Sequence, residues 1–188
     1  MELALKKKEA GSAIGYVVMF TIALLMVVLT LYLAQVAKLM THQHHIDDAL
    51  ADSALASLVA DDVYYFETAE MTGTPVIRFQ NVDESHRIFM DCMNDAIADT
   101  NGFYYNFAFD EFTCYEVEGS SVRITSYSGA AGTKNIRSGS IGRVRTPDGA
   151  VVGETSVYGK VKFDIKNIID SSFITKSKDI YCTLEINN

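Results

Sequence analysis

From Ser12 to Ala37 the chain carries no charged residue. An apolar run of about 20 residues is enough to cross roughly 30 Å of hydrocarbon. Inside lipid the backbone must satisfy its own hydrogen bonds, so such a run spans as a helix. Lys6, Lys7 and Lys8 stand just before it, and Lys38 stands alone after it. This asymmetry places the N-terminus in the cytoplasm and the rest of the chain outside. A cleaved secretory signal has an apolar core of about 7–15 residues ending in a small-x-small site. Here the core is longer, and Leu33-Ala34-Gln35-Val36-Ala37 fits such a site poorly.

The expected organisation follows: residues 1–11 a basic cytoplasmic leader, 12–37 a transmembrane helix, 38–70 its extracytoplasmic continuation, and 71–188 a head domain. Net charge is −8. Lys6, Lys7 and Lys8 outweigh Glu2 and Glu9 by one, so the acid excess lies beyond the leader. An acidic exterior argues against nucleic-acid binding, which needs Lys and Arg for phosphate contacts.

No Gly or Pro occurs between Val17 and Met71, so the helix is expected to run on to about Phe66. Ile46, Leu50, Ala54 and Leu58 form one i, i+4 row, and Leu55, Val59, Val63 and Phe66 a second. About 50 helical residues would be about 75 Å long. A second helix is expected over 85–98, with Ile88, Phe89, Cys92, Met93, Ala96 and Ile97 on one face. Asp83 or Ser85 can cap it, and Asn101-Gly102 ends it.

From Phe103 the period changes to two. Phe103, Tyr105, Phe107 and Phe109 alternate with Tyr104, Asn106, Ala108 and Asp110, and Val122 and Ile124 follow a Glu118–Ser121 turn. Val161, Phe163 and Ile165, then Ile180, Cys182, Leu184 and Ile186, repeat the pattern. These are half-buried antiparallel strands, dry on one side and wet on the other. The fold class is α+β: a long N-terminal helix and a short helix packed on an antiparallel β-sheet. Residues 128–149, rich in Gly and Ser, stand apart as a basic loop or hairpin arm holding Lys134, Arg137, Arg143 and Arg145.

Signals for chemistry are weak. His42, His44 and His45 cluster after the span, with Asp48 within helical reach, but no third or fourth metal ligand is placed. They are expected to be a polar juxtamembrane turn. Asp47, Asp48, Asp52, Asp61 and Asp62 lack EF-hand spacing and read as solvated helix faces. Gly129-Ala130-Ala131-Gly132-Thr133-Lys134 lacks the spacing and strand–helix context of a phosphate loop. His86, near a helix start, is expected at the surface or in a cap, and no nucleophile–base–acid set is signalled. No cofactor and no catalysis are expected. Of three cysteines, Cys92 and Cys182 sit on expected apolar faces and read first as buried structural thiols; Cys114 and Cys182 are a candidate disulfide, both on strands in an oxidising compartment.

Gly11 and Gly15 make a small-xxx-small pair that lets helices approach closely. Thr21, Thr30 and Gln35 can bond a neighbouring helix or their own backbone. Lys6-Lys7-Lys8-Glu9-Ala10-Gly11 followed by Ser12-Ala13 resembles the leader and prepilin-peptidase site of type IV pilin-like proteins. The layout over residues 6–66 is similar to theirs, most of all to TadE-like minor pilins of tight-adherence systems. The fifth position after the Gly11–Ser12 junction is Tyr16, where the family usually has Glu. The resemblance implies a structural subunit of a pilus or pilus-like secretion apparatus at the cell surface. Its partners would be membrane lipid and other pilin-like or assembly-platform subunits, in a homo- or hetero-oligomer. The alternative is a bitopic membrane protein that never polymerises and whose outer domain senses or binds a partner. For the basic stretch, the two readings are contact with an acidic partner surface and a solvated arm.

Overall fold

A computed structural model describes residues 2–167 and 171–184, with side chains from residue 13 onward. It divides into two compact units, Met1–His44 and His45–Asn188. The first unit is helix throughout its described residues, the N-terminal part of α1 (Glu2–Ser57). Every large apolar side chain from Ile14 to Leu33 is more than half exposed. The helix is apolar all round there, the composition of a membrane span rather than of an amphipathic surface helix.

The second unit is α+β. It holds the end of α1, α2 (Asp62–Thr72), α3 (Val82–Ala98), and strands β1 (Tyr104–Glu118), β2 (Ser121–Ser128), β3 (Thr133–Ser140), β4 (Ser156–Lys166) and β5 (Phe173–Thr183). The strands form one antiparallel sheet in the order β3-β2-β1-β4-β5. The α+β class expected from the pattern is the fold found.

Helix α1 stops at Ser57, short of the expected Phe66. No Gly or Pro breaks it. Instead the chain turns extended: Ala60 bridges Phe79, the Gln80 N–H donates to the Val59 carbonyl, and the Asp61 N–H donates to the Arg78 carbonyl. Pairing with a distant segment outweighs local helix propensity, which is a weak preference. Asp61 then caps α2, accepting from the Tyr64 N–H, and Gly73 closes that helix in the left-handed conformation. Asn81, not Asp83 or Ser85, caps α3, its side chain accepting from the N–H groups of Asp83 and Glu84.

One sheet face packs on α3. Phe89 stacks on Phe112 with centroids 4.8 Å apart, and Met93 is fully buried. Ile46, Leu50 and Ala54 of α1 are buried too, the first of the two expected rows. The exposed second row, Leu55, Val63 and Phe66, is split between two helices.

The other face is not wet. After three meandering strands the chain leaves edge strand β3 and must reach β4 on the far side of β1. Residues 141–155 make that crossing over the sheet, and Val144 and Val152 seal a second core of Tyr115, Val122, Ile124 and Tyr158. Central β1 is therefore dry on both faces, with Phe112, Thr113, Cys114 and Tyr115 buried in succession.

At the start of β1 the expected alternation is inverted. Tyr104 is buried while Tyr105 is 41% exposed. Register shifts between Tyr105 and Ala108 and between Phe109 and Glu111, with Asn106 at φ +48°, are bulges that exchange the faces. Strand β5 begins at Phe173, several residues before the pattern announces it; Ile186 lies outside the described residues. Residues 133–140, expected as loop, are edge strand β3, paired along its whole length with β2.

Candidate functional site

In the span, the hydroxyls of Thr21 and Thr30 donate to the carbonyls of Val17 and Met26 at 2.9 and 2.8 Å. Each hydroxyl thus bonds its own helix's backbone. Back-bonding hides the polar group from an apolar surround. A Cβ on Gly15 would meet nothing within 4 Å, so that side of the helix is open to a close neighbour. Gly11 and Ser12 lie in the helical backbone, and their surroundings fall outside the described residues.

The four basic residues do not form one arm. Lys134, on β3, is held by the head itself: its Nζ donates to Asp83 Oδ1 and Oδ2 at 2.6 and 2.8 Å and lies 5.6 Å from the centroid of Tyr127. The Tyr127 hydroxyl donates to the same carboxylate at 2.6 Å. These two donors hold the Asp83 carboxyl below its ordinary range. Burial, then the Asp83 charge, pushes the Tyr127 phenol up. Arg145 donates from Nη1 to the Gly149 carbonyl at 2.9 Å, tying its own turn. Arg137 and Arg143 are exposed, without an ion-pair partner among the described residues. Arg143 and Arg145 flank Val144, whose side chain enters the second core. The stretch is thus part of the fold, because β3 supplies a sheet edge and the crossover supplies core residues.

His86 is half-buried rather than at the surface. Its ring stacks on Tyr127 at 4.1 Å and 5°, and a Cβ on Gly132 would come 3.1 Å from its Cε1. Burial lowers its pKa, opposed by the nearby Asp83 charge. The second clamp, also missed by sequence reasoning, is at α2. Arg78 donates to Asp61 Oδ2 at 2.9 Å while its guanidinium lies 3.5 Å from the Tyr64 centroid. Both clamps join residues 17 or more positions apart. No local signal marks them, because each basic partner is remote in sequence from its carboxylate.

Cys114 and Cys182 are not bridged. Both are register partners of Val157, on opposite sides of β4. Two strand spacings put their Cα atoms roughly 10 Å apart, beyond the reach of a disulfide at about 7 Å. Burial pushes both thiols up, so they behave as structural thiols. His42, His44 and His45 lie on α1, and among the described residues no three His, Cys, Asp or Glu side chains come together. A groove of about 500 Å³ is lined by Pro75, Ile77, Val117, Glu154, Thr155 and Leu184 among others. Among the described residues Glu154 is its one ionisable side chain.

Comparison with protein-family models, curated proteins and solved structures found no match to this chain.

Proposed function

We propose that the chain is a structural, pilin-like subunit of a cell-surface pilus or pilus-like secretion apparatus, acting by assembly rather than catalysis. Its leader is cytoplasmic and its α+β head lies outside. The observation that carries this is the span of α1, whose large apolar side chains are uncovered on every side. Such a surface is stable only in lipid or against other apolar helices. Extraction from the membrane into a filament would exchange lipid contacts for helix–helix packing, and Gly15 would allow close approach. The Gly11–Ser12 junction after three lysines supplies the processing signal.

Tyr16, standing where an acid is usual in such subunits, favours a second reading: a bitopic protein that is never processed or polymerised. Two measurements on the chain in its own membrane separate them. Mass spectrometry should find Ser12 as the first residue, and Gly15→Cys should yield cross-linked span dimers and higher multimers under mild oxidation. A chain that keeps its leader and stays monomeric would establish the bitopic reading. Protease added to intact cells should remove a C-terminal tag; its survival would overturn the topology itself.

A further inference from the structure

One end of the head sheet combines exposed aromatic rings with exposed lysines. Tyr105 and Phe173 pack edge to face with ring centroids 5.1 Å apart, yet they are 41% and 53% exposed. Ile174 beside them is also exposed. Lys166 pairs in register with Phe173, and Lys176 follows two residues after Ile174. Both lysines are exposed, and neither has an ion-pair partner among the described residues. Apolar rings, an isoleucine and two free ammonium groups therefore share the start of β5 and the end of β4.

The place of this patch in the head is fixed by α1. Asp47, two residues into the second unit, accepts from Lys178 of β5 at 2.8 Å. Its charge also helps burial raise the pKa of Tyr104 to about 12. Tyr104, Ile165 and Ile174 are aligned across three strands. Ten residues further along, α1 ends at Ser57 near the Ala60–Phe79 bridge, and the Phe79 N–H faces Glu116 at the other end of β1. Within the head, α1 thus runs from the side of Tyr104 and Lys178 toward the Phe79–Glu116 end of the sheet.

Aromatic side chains and lysines together are the composition that settles at a membrane–water interface: the rings partition at headgroup level and ammonium groups attract anionic lipid. We propose, on the single-span reading above, that this end of the head docks on the lipid headgroup layer of the membrane that holds the span. Tyr105 and Phe173 enter the interface, and Lys166 and Lys176 contact anionic headgroups. A bilayer is favoured over a protein partner because apolar rings beside exposed lysines match the two components of an anionic headgroup layer. While the subunit waits in the membrane, the patch is covered; extraction would uncover it.

The chain contains no tryptophan, so single substitutions report cleanly. Full-length chains bearing Phe20→Trp, Phe173→Trp, Tyr105→Trp or Ile141→Trp are reconstituted in vesicles of phosphatidylcholine and phosphatidylglycerol. Ile141, which donates its N–H to Ser120 at the opposite end of the sheet, is the control. Lipid brominated on its chains should quench Phe20→Trp, which reports insertion. Headgroup-nitroxide lipid should quench Phe173→Trp and Tyr105→Trp strongly and Ile141→Trp little. Adding Lys166→Gln and Lys176→Gln, or using phosphatidylcholine alone, should weaken that quenching. If Phe20→Trp is quenched while both patch reporters behave like Ile141→Trp, the docking proposal is overturned and the span reading stands. If Phe20→Trp is not quenched, the span reading fails and docking with it. Quenching that ignores lysine replacement and lipid charge would remove the lysines from the proposal.

Discussion

Phe89 occupies the space that any side chain at position 159 would need. A Cβ built on Gly159 would lie 2.7 Å from Phe89 Cζ and 2.8 Å from Cε2. Gly159 pairs with Phe112 in the sheet, and the Phe89 ring stacks on that neighbour. The missing side chain on β4 is what lets α3 lie close to the sheet. Gly159→Ala should therefore lower stability by about 1–3 kcal/mol, the usual effect of overpacking a filled core. Adding Phe89→Leu should recover part of the loss. Thermal unfolding of the detergent-solubilised chain measures both, and an unchanged midpoint for the single variant would contradict this packing.

His86 should make the head sensitive to mild acid. Burial lowers its folded pKa below the ordinary 6.5, so the ring stays neutral in the fold while the unfolded chain takes up a proton. Stability is then fully present above pH 6.5 and declines as the pH falls toward the folded pKa. His86→Phe keeps a flat ring against Tyr127 and should remove this part of the decline. Unfolding midpoints for both chains between pH 7.5 and 5.5 (about one unit either side of the free value) provide the check; parallel curves would show that His86 contributes nothing.

Asp83 acts in the opposite sense. Lys134 and Tyr127 hold its carboxyl below the ordinary value. Its contribution is thus complete above the unfolded pKa of about 3.9 and is lost as pH falls through the lower folded pKa. The carboxylate is largely exposed, so Asp83→Asn should cost less than about 1 kcal/mol at neutral pH. The gap between the two chains should close in strong acid. A gap that persists below the folded pKa would point to lost hydrogen bonding rather than lost charge.

Asp61 starts α2 after α1 has been broken. Its side chain accepts from the Tyr64 N–H and from Arg78. Asp61→Ala should fray Asp62–Thr72, whose helix has no buried residue to hold it. Hydrogen exchange should rise at Tyr64 and Tyr65, while α3 amides stay protected. Uniform acceleration across the head would instead make Asp61 a determinant of the whole fold.

Among the four basic residues, the structure separates two roles. Lys134→Gln should reduce head stability slightly, through the lost Asp83 pair. Arg137→Gln with Arg143→Gln should leave unfolding unchanged, because both side chains face solvent. If those arginines contact an acidic neighbouring subunit, the double variant should weaken cross-linking between copies, most at low salt, where screening is least. Unaltered cross-linking would leave them as solvated surface charges.

Much of this molecule is written locally. The uncharged run from Ser12 to Ala37 makes a helix that is apolar all round, whatever follows it. The apolar face of α3, the Val161-Phe163-Ile165 row and the Gly119-Ser120 turn are legible because each depends on neighbours a few residues away. Tertiary structure decided the rest. Helix α1 ends at Ser57 because residues 59–61 pair with 78–80, and no local breaker records that choice. β3 looks like loop because its strand character comes from pairing with β2, and the second core is dry because the β3–β4 connection must cross the sheet. The cysteines lie too far apart for a bond because β4 runs between their strands. The exposed rings of Tyr105 and Phe173 meet only after bulges turn β1 over. Local preferences are worth tenths of a kcal/mol to about 1 kcal/mol per residue. Contacts between distant segments can override them, and a single sequence does not show which distant segments meet.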